Sequence, residues 1–295
     1  MQILKFYIVD VFAEEKYAGN QLAVIRGGRN LATDKMQRIA KEMNYSETTF
    51  ILSDEQENGG YDVRIFTPET ELPFAGHPTL GTAYVIQQEI VKEPEERIVL
   101  NLKVGKIPVT FTYAEGKSDV LWMKQVEPIF GPTFDAETIS KILNLDAKEI
   151  DHNFPIQGVS TGVPFIIVPL KTLDAVKRAR VNRERYFQLV STSQAKSLLV
   201  FCPETYKKEN NLNVRVFADF YGVPEDPATG SANGCLVGYL VKHRYFGEDK
   251  IDIRVEQGYE IGRESLLFLK AELKEEGIDV FVGGRVVMVA KGELV

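Results

Sequence analysis

The chain has 295 residues, of which 44% are hydrophobic and 26% charged, and it carries a formal net charge of −7. This composition is typical of a globular protein with a sizeable core, and the negative charge argues against nucleic acid, whose binding usually needs a basic face. The longest apolar stretches are shorter than the roughly 18 residues of a membrane span, and the N-terminus lacks the pattern of a signal peptide. The sequence therefore predicts a soluble cytoplasmic protein that binds neither nucleic acid nor membranes.

Cysteine and histidine are scarce and scattered. The two cysteines, Cys202 and Cys235, cannot form a disulfide framework, and no CxxC or paired His/Cys spacing indicates a zinc site. The three histidines, at positions 77, 152 and 243, lie far apart in the sequence. We therefore predict that the protein builds no metal site.

Local patterns predict an alternation of strands and helices. Three segments have the period of amphipathic surface helices, with Thr33 as N-cap of the first and Thr133 or Asp135 as N-cap of the second. Two further helices are apolar on most faces, as is typical of a helix in an interior, and we expect each to be wrapped by its own curved sheet. In chain order the elements are an N-terminal strand, a surface helix at 34–43, strands at 48–52 and 62–73, an apolar helix from Pro78, a surface helix at 135–143, a strand at 163–170, a surface helix at 183–190, a strand at 213–224, an apolar helix near Ala228 and a strand at 280–290.

The chain repeats itself once. Residues 62–73 read DVRIFTPETELP and residues 213–224 read NVRVFADFYGVP, at an offset of 151 without a gap. Each segment has the β-branched and aromatic content of a strand and a Pro-containing turn. Each then runs through a glycine-rich opening into one of the apolar helices. The shared order of elements predicts a duplicated chain, with about six strands and one central helix in each half.

The two halves should meet near a polar turn cluster at 114–118. The C-terminal strand at 284–295 is assigned to the first half. We therefore predict a first half at 1–118 joined by that strand, and a second half at 119–283. The fold class expected from this pattern is α+β, in two pseudo-symmetric halves.

The openings of the two apolar helices are candidate anion sites. The motifs GHPT and ATGS would each present free backbone N–H groups and the positive end of a helix dipole, an arrangement that binds carboxylate or phosphate. Facing each other across a cleft, the two ends could hold one anionic substrate. The alternative interpretation is that glycine only eases two turns.

His77, Asp226 and Ser231, near these openings, and Glu47, in a separate segment, are the polar candidates for the site. Under the 151-residue offset Ala75 matches Asp226 and Gly76 matches Pro227, so the first half carries His77 where the second carries Asp226 and Ser231. An aspartate ahead of a helix is also an ordinary cap or turn residue, and a lone histidine is more often structural. By itself, Glu47 in NYSETTFIL could equally be a solvated surface residue.

At these residues the sequence resembles the PhzF-like (phenazine-biosynthesis) family, relatives of diaminopimelate epimerase. The resemblance covers essentially the whole chain. Its most specific blocks are SETTF, AGHPTLGTA and EDPATGSA, in that order and spacing. They lie within NYSETTFI at 44–51, VRIFTPETELPFAGHPTLGTA at 63–83 and EDPATGSANG at 225–234, with DVFAEEKYAGNQLAVI at 10–25 and QGYEIGRESLL at 257–267 on either side.

The resemblance implies a fold, a site and an assembly. The fold is diaminopimelate epimerase-like, with two pseudo-symmetric halves, each a curved mixed or antiparallel sheet around a central helix, and the site between them. The assembly is a homodimer. The paired catalytic cysteines of the epimerase relatives are absent, which excludes a two-thiol mechanism. By resemblance, the catalytic residues are Glu47, His77 and Asp226, and the substrate-binding residues are Gly76, Gly230 and Ser231.

These residues suit proton transfer between carbons. One carboxyl in a closed, dry cleft can accept the proton and return it, so Glu47 needs no partner thiol, and no GxGxxG motif indicates a nucleotide cofactor. We predict a cofactor-independent isomerase of a small carboxylate-bearing amino or hydroxy acid, cyclic ones included. The alternatives are a racemase or dehydratase on the same scaffold, or a protein that binds small acids without turnover.

Overall fold

A computed structural model describes residues 3–295, and this part of the chain forms two compact units. The first unit contains the chain up to Met123 together with Gly283–Val295, and the second contains Lys124–Val282. The sequence placed the boundaries at 118/119 and 283/284, within five residues of these positions.

Strands and helices alternate through both units. Within residues 3–295 the strands are β1 (Leu4–Val11), β2 (Asn20–Arg26), β3 (Glu47–Ile51), β4 (Tyr61–Phe66), β5 (Glu71–Leu72), β6 (Arg97–Leu102), β7 (Gly105–Ala114), β8 (Lys117–Lys124), β9 (Ile129–Phe134), β10 (Ile156–Ser160), β11 (Pro164–Pro169), β12 (Ser197–Cys202), β13 (Leu212–Ala218), β14 (Val223–Asp226), β15 (Lys250–Gln257), β16 (Ser265–Lys274), β17 (Gly277–Gly284) and β18 (Val286–Leu294). The helices are α1 (Thr33–Met43), α2 (Gly76–Ile86), α3 (Ala136–Leu143), α4 (Leu173–Arg178), α5 (Arg183–Thr192) and α6 (Gly230–Lys242). Within the described residues no helix is long and apolar enough to cross a membrane.

Both units have the same strand connectivity. In the first unit β1 pairs antiparallel with β2, β2 parallel with β3, β3 antiparallel with β4, β4 parallel with β6 and β6 antiparallel with β7. In the second unit β10, β11, β12, β13, β15 and β16 follow the same sequence of pairings. The outer neighbours also correspond, since β18 pairs antiparallel with β1, and β9 with β10. The internal duplication predicted from the sequence is confirmed at the level of topology.

Each unit is built around one apolar helix. Nine of the eleven residues of α2 and eleven of the thirteen of α6 are buried, as predicted. Strands β1, β2, β3, β6, β7 and β18 pack against α2. At Gly81 the helix comes so close to the sheet that a Cβ atom would lie 2.6 Å from the Leu22 side chain. Only glycine allows that approach.

The amphipathic helices form at the predicted segments. Helices α1, α3 and α5 start or end within two residues of the expected bounds. Asp135 caps α3 by accepting a hydrogen bond from the Thr138 backbone N–H. The prediction of Thr33 as the cap of α1 is wrong, because Ala32 occupies the N-cap position. The Thr33 hydroxyl instead accepts a hydrogen bond from Arg64 at 3.1 Å.

The matching of the two helix openings also differs from the sequence prediction. Helices α2 and α6 begin at Gly76 and Gly230, an offset of 154 (230 − 76) in place of 151. The second half is longer because a 3-10 turn at Asp219–Tyr221 intervenes between its two strands. At the openings, the proposed matches of Ala75 with Asp226 and Gly76 with Pro227 are therefore wrong. His77 and Ser231 instead occupy the same position, the second residue of each helix.

A buried hydrogen bond ties β3 to α2. The hydroxyl groups of Thr49 and Thr82 lie 2.7 Å apart, and both residues are fully buried. This bond holds the strand that begins at Glu47 against the helix that begins at Gly76.

Replacing Thr82 with valine should destabilise the protein by about 1–3 kcal/mol, because the Thr49 hydroxyl stays buried without a partner. Urea unfolding measures the loss. The double variant Thr49→Val/Thr82→Val removes both polar groups and should recover most of it. A double variant less stable than the single one would contradict this account.

Candidate active site

Two of the predicted catalytic residues lie together in the first unit. Glu47 is the first residue of β3, and its side chain is 17% exposed. His77 is the second residue of α2 and is buried. The Glu47 Oε2 and His77 Nε2 atoms are 3.4 Å apart. The fold thus brings together a carboxyl and an imidazole that are 30 residues apart in the sequence.

His77 is held in its neutral form. Burial lowers the pKa of the imidazole to about 3, and a hydrogen bond to the Gln21 backbone opposes that shift. Within residues 3–295 Nε2 has no hydrogen-bond partner, so Nδ1 carries the proton donated to Gln21 and Nε2 keeps a lone pair. At neutral pH the contact with Glu47 is therefore not an ion pair. It places a hydrogen-bond acceptor beside the carboxyl.

The buried neutral histidine predicts a pH dependence of stability. The folded-state pKa lies below the unfolded value of about 6.5, so the unfolded chain binds the additional proton. The stabilisation is complete above pH 6.5 and is lost, at about 1.4 kcal/mol per pH unit, as the pH falls towards 3. Between pH 7 and pH 5 the wild type should lose about 2 kcal/mol more than His77→Asn. Urea unfolding at each pH measures both, and parallel curves would contradict a neutral His77.

The opening of α2 carries no side-chain cap. Ala75 occupies the N-cap position and has no polar side chain, while Pro78 lacks an N–H group. The backbone N–H groups of Gly76 and His77 therefore form the positive end of the helix dipole. The half-buried Gly76 adds no side chain, so a small anion can approach the backbone.

In the second unit, Asp226 lies at the end of β14, three residues before the N-cap of α6. Thr229 occupies that N-cap position but does not cap the helix. Its hydroxyl instead donates to Asp226 Oδ2. As in the first unit, the helix opening is left without a side-chain cap, and for the same reason it can receive an anion.

Ser231 and Gly230 form the first residues of α6. Gly230 is buried and Ser231 is half-buried. The backbone carbonyl of Ser231 accepts a hydrogen bond from the Thr161 hydroxyl at 3.4 Å. The predicted residues thus lie in two groups, Glu47, Gly76 and His77 in the first unit and Asp226, Gly230 and Ser231 in the second.

Sequence reasoning missed one residue that holds the second group. Gln257 is fully buried, and its amide bonds the Asp226 carbonyl at 2.8 Å and the Thr229 hydroxyl at 3.0 Å. The sequence signal was present, because Gln257 opens the block QGYEIGRES. A glutamine at the end of an apolar strand pattern is a candidate for a buried polar contact.

The two cysteines lie in the buried core. Burial raises the pKa of Cys202 to about 12 and that of Cys235 to about 11, so both thiols stay protonated at neutral pH. Among the described residues, no group of three or more His, Cys, Asp or Glu side chains is placed to hold a metal ion.

Comparison with known proteins identifies the family. The family model described as phenazine biosynthesis-like protein matches residues 9–292. This chain belongs to the PhzF family. Among its relatives, an uncharacterized isomerase of Clostridium acetobutylicum is 33% identical, over 98% of this chain and 97% of that protein. The trans-2,3-dihydro-3-hydroxyanthranilate isomerase of Pseudomonas aeruginosa is also 33% identical, over 98% of each chain. The PhzF relatives are isomerases, and this chain is a PhzF-family isomerase.

Solved structures agree with the fold. A PhzF-family protein of Bacillus anthracis matches the whole chain with a TM-score of 0.91 and 27% identity, and all of that chain is covered. A probable proline racemase of Agrobacterium radiobacter matches 99% of this chain and 93% of its own with a TM-score of 0.65. At 10% identity that likeness concerns the fold alone. The PhzF chain therefore has the diaminopimelate epimerase-like fold expected from its sequence.

Proposed function

We propose that this PhzF-family isomerase moves a proton between two carbons of a small carboxylate-bearing substrate, without a metal or an organic cofactor. The substrate class is amino or hydroxy acids, cyclic ones included. The observation that carries the proposal is the Glu47 carboxyl lying 3.4 Å from Nε2 of a buried, neutral His77.

Glu47 would act first as base and then as acid. Its carboxylate takes a proton from one carbon, the electron pair of that C–H bond shifts the double bond, and the protonated carboxyl returns the proton to a second carbon. Between the two steps Glu47 carries a proton that Nε2 of His77 can accept as a hydrogen bond. A neutral histidine thus stabilises the protonated intermediate state of Glu47, whereas an imidazolium would oppose it.

The remaining residues would bind the substrate and stabilise charge. Gly76 and Gly230 open the two helices, whose N–H groups suit a substrate carboxylate and the negative charge of an enolate. Ser231 would contact the substrate, and Asp226 would assist proton movement. We propose that both groups of residues serve the same reaction.

The repeat favours one base over two. In the first unit Glu47 of β3 pairs with Leu22 of the parallel strand β2. In the second unit Ser197 of β12 pairs with Phe165 of the parallel strand β11, at the corresponding position. Ser197 is buried, and a serine cannot replace a carboxylate as base. This asymmetry supports an isomerase that shuttles one proton over a racemase with two equivalent bases.

The test uses the substrate class named for the P. aeruginosa relative. The purified chain, treated with a chelator and given no cofactor, is incubated in deuterated buffer with trans-2,3-dihydro-3-hydroxyanthranilate and with a panel of small cyclic amino and hydroxy acids. Proton and deuterium NMR should show a shifted double bond and a proton on a new carbon. Inversion at one carbon would indicate a racemase, and loss of water a dehydratase. Binding without any change across the panel would overturn the proposal.

We also propose a homodimer, which rests on the family resemblance. Light scattering should give about twice the 33.2 kDa chain mass. A single-chain mass at micromolar concentration would contradict it.

A further inference from the structure

A part-buried hydrogen-bonded chain leads from Gln257 to the carboxyl of Asp226. Gln257 Nε2 donates to the Thr229 hydroxyl at 3.0 Å, and that hydroxyl donates to Asp226 Oδ2. Gln257 is fully buried. Together, the oxygen and the nitrogen of its side-chain amide form hydrogen bonds with Asp226 and Thr229, just before α6.

Backbone groups fix the orientation of this amide. Gln257 Oε1 accepts from the Thr229 N–H at 3.2 Å, and Nε2 donates to the Asp226 carbonyl at 2.8 Å. Asn233 Nδ2 also donates to Oε1, at 2.8 Å. A backbone N–H can only donate and a carbonyl can only accept, so a flipped amide would lose these bonds. Gln257 therefore always presents a donor to the Thr229 hydroxyl.

The direction of the next bond follows. A hydroxyl has one proton, and the Thr229 hydroxyl already accepts from Gln257. Among its hydrogen-bond partners within residues 3–295, Asp226 Oδ2 is the group that can accept that proton. We infer that Thr229 and Gln257 are positioning residues that keep Oδ2 an acceptor and thereby favour the ionised form of Asp226 between turnovers. The inference rests on the proposed role of Asp226 in the reaction.

The first unit indicates that the fold itself does not need this chain. The N-cap position of Thr229 is occupied there by Ala75. Strand β6 pairs parallel with β4 in the first unit, as β15 does with β13 in the second. Tyr61 pairs with Leu100 and Leu212 with Val255, so two residues further along Leu102 takes the position of Gln257. An apolar pair therefore suffices for the same architecture. Burying a polar side chain such as Gln257 is costly unless its hydrogen bonds are satisfied, and in the second unit this network is built beside a candidate catalytic carboxyl.

Two substitutions at Thr229 separate positioning from packing. Thr229→Val keeps the shape and loses the donor, whereas Thr229→Ser keeps the donor and loses a methyl group. The measurement is the protonation midpoint of Asp226, followed by NMR of protein labelled with ¹³C at the aspartate carboxyls and assigned with Asp226→Asn. Thr229→Val should move the midpoint to higher pH by about one unit, a tenfold change in the ratio of protonated to ionised carboxyl. Thr229→Ser should leave it in place.

Equal midpoints in Thr229→Val and the wild type, or a larger shift in Thr229→Ser, would overturn the inference. If Thr229→Val does not fold, Thr229→Ala, the residue found in the first unit, gives the same comparison. The titration needs no turnover, so its result stands apart from the proposed function. A shifted midpoint in a protein without isomerase activity would reject only the function. Isomerase activity with an unshifted midpoint would reject only the positioning role.

Discussion

Replacing Glu47 with glutamine should abolish isomerisation while leaving ligand affinity largely unchanged. The amide keeps the shape and polarity of the side chain but cannot accept a proton from carbon. General acid–base assistance is worth about 10²–10⁴ in rate, and a group that serves as both base and acid should reach or exceed the upper end. The substrate carboxylate is held by the helix openings in this proposal, so Kd should change little. Single-turnover NMR and calorimetric titration measure the two quantities.

Related substitutions should have smaller effects. His77→Asn and Asp226→Asn remove assisting groups and should lower kcat less than Glu47→Gln, whereas Ser231→Ala should chiefly weaken binding. Glu42→Gln is the matched control, because Glu42 is an exposed glutamate of α1 and should retain full activity. Near-normal turnover in Glu47→Gln would reject the proposed base and make Asp226 the leading candidate.

Replacing Glu225 with glutamine should destabilise the protein by roughly 3 kcal/mol, near the lower end of the cost of breaking a buried ion pair. Arg215 is almost fully buried and bonds both Glu225 oxygens, at 2.9 and 2.7 Å. The substitution removes the carboxylate that neutralises Arg215, while the Arg215 guanidinium stays buried. Glu260 Oε2 lies 3.9 Å from Arg215 Nε and compensates in part. Urea unfolding measures the loss, and Glu225→Gln/Glu260→Gln should lose more.

The repeat supplies the control for this substitution. Arg64 and Glu71 form the corresponding bidentate pair in the first unit, but the Arg64 side chain is 23% exposed against 4% for Arg215. Water can solvate Arg64 after Glu71→Gln, so that variant should lose only about 1 kcal/mol. A Glu71→Gln loss equal to that of Glu225→Gln would show that burial does not set the cost of breaking these pairs.

The local pattern of the chain determined its elements and its duplication. Segments 62–73 and 213–224 have the composition of strands and lead into apolar helices, and the structure has β4 and α2, and β13 and α6, at these places. Such features depend on neighbours in the sequence, so periodicity finds them. The motifs around Glu47, His77 and Asp226 were specific enough to identify the family, which the comparisons confirm.

The tertiary structure decided what depends on distant neighbours. The match between the helix openings needed the extra turn at Asp219–Tyr221, because the similarity between residues 62–73 and 213–224 does not reveal a gap inside those segments. Thr33 fails as a cap because Ala32 occupies the N-cap position, and the Thr33 hydroxyl accepts instead from Arg64, 31 residues away. The neutral state of His77 comes from burial, and burial is a property of everything packed around a side chain. The sequence could name candidate reactive residues, but only packing sets their protonation and their partners.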